Sequence, residues 1–111
     1  MSYDVNFVID TGDEYPTEIG GDYLNYTYNC GPMFRLALGG NGLYDLHGKL
    51  AGDMREKLTA AVAHMEHPDN TAVYEEMNPA NGWGDHRSAT EFLNLVKVKA
   101  HKHPRATIMI S

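Results

Sequence analysis

Tyr3-Asp4-Val5-Asn6-Phe7-Val8-Ile9 is the stretch that decides the fold. Tyr3, Val5, Phe7 and Ile9 fall on one side of an extended chain, the two-residue period of a strand with one buried face. Asp10-Thr11-Gly12-Asp13 ends it with turn-forming residues. At the other end of the chain, after Pro104, Ala106-Thr107-Ile108-Met109-Ile110 is again β-prone. The chain therefore opens and closes on strands. Pairing them side by side, with the intervening helices on one face, predicts an α+β fold. The expectation is a small sheet that includes the N- and C-terminal strands, with two longer and two shorter helices packed on it. At 111 residues this is one domain.

Between the strands, residues 13–22 are polar, with Pro16 and the pair Gly20-Gly21, and read as a loop holding a short strand near Ile19. Tyr23 to Asn29 is aromatic and β-prone and forms a second extended segment. Pro32 suits the first turn of a short helix, where its missing N–H costs nothing. That helix carries Met33, Phe34, Leu36, Ala37 and Leu38 and stops at Gly39-Gly40. Gly39-Gly40-Asn41-Gly42 then reads as a flexible connection. A longer helix over 50–67 places Leu50, Met54, Leu58, Ala61, Val62 and Met65 in one apolar stripe, and Pro68 ends it. A short helix over 69–77 turns Val73 and Met77 inward. Asn78 to Asp85 is a loop by composition, and Asp85 caps a final helix over 86–103. The buried stripe of that helix is Ala89, Phe92, Leu93, Val96 and Ala100.

Composition excludes several classes of function. No run approaches the ~20 apolar residues of a membrane-spanning helix, so no membrane partner is expected. Residues 1–34 hold six acids (Asp4, Asp10, Asp13, Glu14, Glu18, Asp22) and no Lys or Arg, within a net charge of −6. Lys97, Lys99, Lys102 and Arg105 form only a short basic tail. Nucleic-acid binding needs a broad basic face, so none is expected, and both charged ends read as solvated. The acidic start does not resemble a signal peptide. Cys30 is the only cysteine, which excludes an intrachain disulfide framework. These features point to a cytoplasmic location.

Asp10-Thr11-Gly12 after Phe7-Val8-Ile9 is the local signature of an aspartic protease, but those enzymes are nearly all β and this chain is rich in helix. The motif reads as a turn. His64 with His67, and His101 with His103, stand in last helical turns before prolines, where a cation complements the helix dipole. Neither pair comes with an acid or cysteine at a spacing that completes a metal site. Cys30 has no adjacent base in the sequence, and the glycines match no phosphate-loop pattern. No catalytic residue, metal or cofactor is expected.

Two segments remain as candidates for binding: Asn25-Tyr26-Thr27-Tyr28-Asn29 and Asn81-Gly82-Trp83-Gly84-Asp85. In an extended chain Asn25, Thr27 and Asn29 share a side and present three short polar groups in a row. Trp83 between glycines either plugs the edge of the core or leaves its ring open to stack a planar ligand. The predicted ligand-binding set is Asn25, Thr27, Asn29, Asn81, Trp83 and Asp85.

These segments resemble those of a group of small phage and prophage proteins of unknown function. The shared features are Asn25, Thr27 and Asn29 followed by Met33, the loop Asn-Pro-x-Asn-Gly-Trp-Gly-Asp at Asn78 to Asp85, and a closing strand after His103-Pro104. Such proteins often carry Tyr where this chain has His86. The resemblance implies viral origin and action in the host cytoplasm, and it supplies no activity. The leading expectation is a protein that captures or sequesters a small polar molecule such as a nucleotide. The alternative is a protein–protein inhibitor of a host enzyme, with Trp83 and neighbouring tyrosines as anchors. A hydrolase using Asp10 or a histidine ranks third.

Overall fold

The computed structural model describes residues 1–12, 14–21 and 23–111. Asp13 in the first turn, and Asp13 and Asp22 of the acidic N-terminal third, lie outside the described residues. Strand β1 (Ser2–Ile9) is the centre of a four-stranded antiparallel sheet. It pairs with β2 (Thr17–Glu18) through Val8↔Glu18, and with β3 (Leu24–Thr27) from Ser2↔Thr27 to Val5↔Leu24. It also pairs with β4 (Thr107–Ile110) from Val5↔Ile110 to Val8↔Thr107. The two terminal strands are thus direct neighbours, as their alternation predicts.

That alternation sorts the sheet into two faces. Tyr3, Val5, Phe7, Leu24, Ile108 and Ile110 are buried, while their alternates Ser2, Asp4, Asn6, Asn25, Thr27 and Met109 are half-exposed. Helices cover the first face: α1 (Gly31–Leu38), α2 (Arg55–Glu66), α3 (Thr71–Glu76) and α4 (His86–Lys102). The expected stripe of α4 is buried in full, as are Leu58, Ala61, Val62 and Met65 of α2. Burying a large apolar side chain contributes about 1.5–3 kcal/mol, so the single core shared by sheet and helices supplies the main favourable term for the fold. No helix among the described residues is long and apolar enough to cross a membrane.

Four local expectations are corrected. First, α2 begins at Arg55, not near residue 50. Residues Ala51–Met54 form a 3-10 turn, and Leu50 is exposed and bridges to Thr107. The backbone of this stretch is drawn to the chain after α4 instead, with Ala51 N–H donating to Ala106 O at 2.7 Å and Gly52 N–H to Pro104 O at 2.8 Å.

Second, the short helix after Pro68 turns Tyr74 inward, with Val73 47 % exposed. A 3-10 turn over Pro68–Asn70 shifts the phase of the helix that follows. Third, the glycine-rich connection leads directly into an ordered 3-10 turn, Gly42–Leu46, whose Leu43 and Leu46 are fully buried. Fourth, Lys99 belongs to the buried face of α4 and not to a solvated tail. Its Nζ donates to Ile19 O at 3.1 Å and lies 5.5 Å from the centre of the Phe7 ring, which provides the partners that a buried ammonium requires.

Candidate functional site

The extended segment does not stay extended to Asn29. Strand β3 ends at Thr27, and Tyr28–Cys30 form a 3-10 turn. Thr27 Oγ1 accepts from Asn29 N–H at 3.2 Å and from Asn29 Nδ2 at 3.0 Å, so the turn is capped from within. Asn25 and Thr27 still share the outer face of the sheet. Asn25 Nδ2 donates to both Ser2 Oγ and Asp4 Oδ1 at 2.8 Å, which fixes the amide, because a carboxylate only accepts.

The tryptophan loop docks on this turn through Gly84, whose φ is +91°. A Cβ there would stand 2.8 Å from Thr27 Cγ2 and 2.9 Å from both Cys30 Sγ and Tyr26 Oη. Only glycine tolerates that conformation together with that approach. Beyond it, the Asp85 carboxylate accepts from Ser88 N–H at 2.7 Å, and Asp85 N–H reaches Ser88 Oγ at 3.3 Å, a reciprocal cap on α4.

Tyr26 joins the two segments. Its hydroxyl lies 2.6 Å from Ser88 Oγ and donates to Asp85 O at 3.2 Å, and its ring stacks on Phe92 with centroids 5.1 Å apart. Burial pushes the Tyr26 phenol up to about 12 and raises the Cys30 thiol as well, so both stay protonated near neutrality.

Between the docked segments lies an open depression of ≈ 730 Å³, within the ~300–1,000 Å³ span of small-ligand sites. Asn25, Thr27, Asn29, Asn81 and Trp83 line it, together with Tyr26, Gly84, Ser88 and the N-terminal residues Met1 and Ser2. Five of the six residues singled out in the sequence therefore meet around one hollow. Asp85 does not line it, being committed to the helix cap. Trp83 is 67 % exposed, so its ring does not plug the core. Its backbone N–H donates to Asn81 Oδ1 at 2.9 Å, which holds the loop shape without fixing the ring.

After these bonds the remaining polar capacity is specific. Among the described residues Asn25 keeps a carbonyl oxygen, Thr27 a hydroxyl proton, Asn29 a carbonyl oxygen and Asn81 two amide protons. All are uncharged, and donors and acceptors are mixed. Tyr26, Ser88 and Gly84, which build the contact, were not among the residues picked from the sequence. The glycine between Trp83 and Asp85 was the available signal, since two glycines around one tryptophan exceed what a turn needs.

The remaining polar residues have other roles. Asp10 Oδ1 accepts from Gly12 N–H at 2.9 Å in an exposed turn. His64 Nδ1 lies 2.6 Å from Tyr74 Oη, and the Tyr74 ring stacks on His86 at 5.0 Å and 5°. His86 Nε2 donates to Met65 O at 2.7 Å, so His86 packs against α2 and α3 and is not among the residues lining the depression. His67 Nδ1 accepts from Asp69 N–H at 3.1 Å, and His101 Nδ1 donates to Lys97 O at 2.9 Å.

No family model matches the chain, and no curated protein or solved structure matches it with significance.

Proposed function

We propose that the protein binds a small, planar, polar molecule in the depression between β3 and the Trp83 loop, and that a nucleobase-like ring is the class that fits. The observation that carries this reading is an exposed tryptophan beside uncharged amide and hydroxyl groups that retain hydrogen-bonding capacity. Stacking on an aromatic ring is worth about 1–3 kcal/mol per base, and the amides supply orientation. The resemblance of both segments to small phage and prophage proteins supports reading the ligand as a host molecule that is captured rather than transformed. The rival reading, inhibition of a host protein, needs Trp83 as an anchor on a flat or convex face. The concave setting of the ring favours the small ligand.

Native mass spectrometry of protein purified from cells tests this first, and a retained small molecule is the expected result. With that molecule in hand, calorimetry on Trp83→Ala should show at least about tenfold weaker binding, about 1.4 kcal/mol, with the fold intact. Unchanged affinity in the variant, or a retained protein partner in place of a small molecule, would overturn the reading.

A further inference from the structure

Around Tyr28 of the Tyr28–Cys30 turn, three tyrosines converge. Tyr3 packs edge-on against Tyr28 with ring centroids 4.6 Å apart and against Tyr44 at 5.4 Å, and Tyr28 lies 6.5 Å from Tyr44. Tyr3 is buried, Tyr28 half-buried and Tyr44 exposed, so the cluster opens to solvent on the Tyr44 side.

An arginine is held at the same place by two glycines. The Arg35 stem crosses Gly42, whose absent Cβ would stand 3.2 Å from Arg35 Cγ. Its tip reaches Gly31, where a Cβ would stand 3.0 Å from both Arg35 Nη1 and Tyr3 Oη. Those two polar atoms are thus no further apart than twice that distance. Gly31 has an ordinary helical conformation, φ −49° and ψ −43°. Its backbone does not require glycine, and the missing side chain leaves space for the guanidinium and the phenol to meet.

Nothing among the described residues neutralises this arginine. Arg35 enters neither of the ion pairs, and its guanidinium makes no hydrogen bond there. Asp45, the acid next to Tyr44 in the chain, accepts from Asn41 N–H at 2.9 Å and Asn41 Nδ2 at 3.3 Å. Nor does the guanidinium lie over a tyrosine ring, since the cation–π contact of the described residues is that of Lys99 with Phe7. Burial raises the Tyr3 phenol, and the Tyr28 hydroxyl beside Tyr44 pushes the Tyr44 phenol up to about 12, so Tyr3 and Tyr44 stay neutral donors.

We propose that Arg35 and the hydroxyls of Tyr3, Tyr28 and Tyr44 form a binding site for the phosphoryl group of a small molecule. A guanidinium presents two parallel N–H donors to two phosphoryl oxygens, and the phenols supply donors for the third. A quaternary ammonium, the other guest of aromatic clusters, is repelled by the arginine. The site does not depend on the reading of the Trp83 depression, whose lining includes no Lys or Arg.

Inorganic phosphate is the probe. In a titration at fixed ionic strength with chloride as the balancing anion, the Arg35 Nε–Hε resonance should move along a saturating curve. Its shift should exceed those of the exposed Arg87 and Arg105 by about fivefold or more. Arg35→Gln should abolish the phosphate-dependent rise in Tm, Arg35→Lys should weaken binding because the fork is lost, and Tyr44→Phe should weaken it several-fold. Trp83→Ala should leave the phosphate response intact, which separates this site from the depression. If the Arg35 resonance tracks Arg87, or if Arg35→Gln keeps the full Tm rise, the proposal is overturned.

Discussion

Two glycine-rich loops of nearly the same composition meet opposite fates in this molecule. Gly39-Gly40-Asn41-Gly42 leads into a 3-10 turn that drives Leu43 and Leu46 fully into the core, whereas Asn81-Gly82-Trp83-Gly84 leaves the largest apolar ring of the chain 67 % exposed. Both loops use positive-φ glycines to turn. The difference lies in what those glycines face. Gly42 is itself buried, against Arg35 and Phe34, and carries the following leucines with it. Gly84 instead brings its loop against Tyr26, Thr27 and Cys30, while Gly82 has nothing within 4 Å. A glycine-rich loop is thus an instrument of close approach, and its surroundings decide whether it fills the core or builds a surface hollow.

The strongest way to break this comparison is to empty the first loop. Leu46→Ala should cost about 2–5 kcal/mol of stability, read by denaturant unfolding. A loss near zero would mean that the Gly42–Leu46 turn is not part of the core. Next comes the docking glycine. Gly84→Ala should cost about 2 kcal/mol or more, because strained backbone is compounded by the clash with Thr27 and Tyr26. Gly82→Ala, with φ +77° but open space, should cost only about 1 kcal/mol. Equal losses at the two positions would remove the argument for close approach.

A smaller effect sharpens the junction of loop and helix. The Ser88 N–H bonded to the Asp85 carboxylate holds its pKa below the ordinary carboxylate value. The stabilisation is therefore present above the unfolded-state pKa and is lost as pH falls through the lower folded-state value. Asp85→Asn keeps a good cap at neutral pH but should flatten the acid side of the stability–pH curve. An unaltered acid limb in the variant would show that the cap carries no such linkage. The smallest expected change is the stability of Trp83→Ala, within about 0.5 kcal/mol of wild type. A large drop in Tm would mean that the ring packs as the Leu43–Leu46 pair does.

Periodicity made the frame legible. Tyr3, Val5 and Phe7 alternate without exception, and the α4 stripe recurs at helical spacing, so local pattern and tertiary burial agree. The readings that failed lie where short 3-10 turns intervene. Pro68–Asn70 shifts the phase that brings Tyr74 inward in place of Val73, and Ala51–Met54 takes Leu50 off the α2 stripe. Such turns leave no period long enough to see. Lys99 was opaque for a different reason, since only the fold brings the Ile19 carbonyl and the Phe7 ring to it. In the candidate site, Asn25 and Thr27 were legible as one face of a strand. Asp85 was legible as the cap of α4, and it drew a ligand-binding reading as well because the residue types that cap a helix are also those that bind ligands. Tyr26 escaped notice because its partners Ser88 and Phe92 lie on α4, more than sixty residues along the chain.

Trp83 is the only tryptophan of the chain, and its exposure has an optical consequence. The indole emission of the native protein should resemble that of a hydrated side chain and should change little when the core unfolds, so melts must be followed through the backbone. Conversely, whatever covers the indole in the folded state, by excluding water or quenching the excited ring, acts on the single indole fluorophore and reports on that hollow alone.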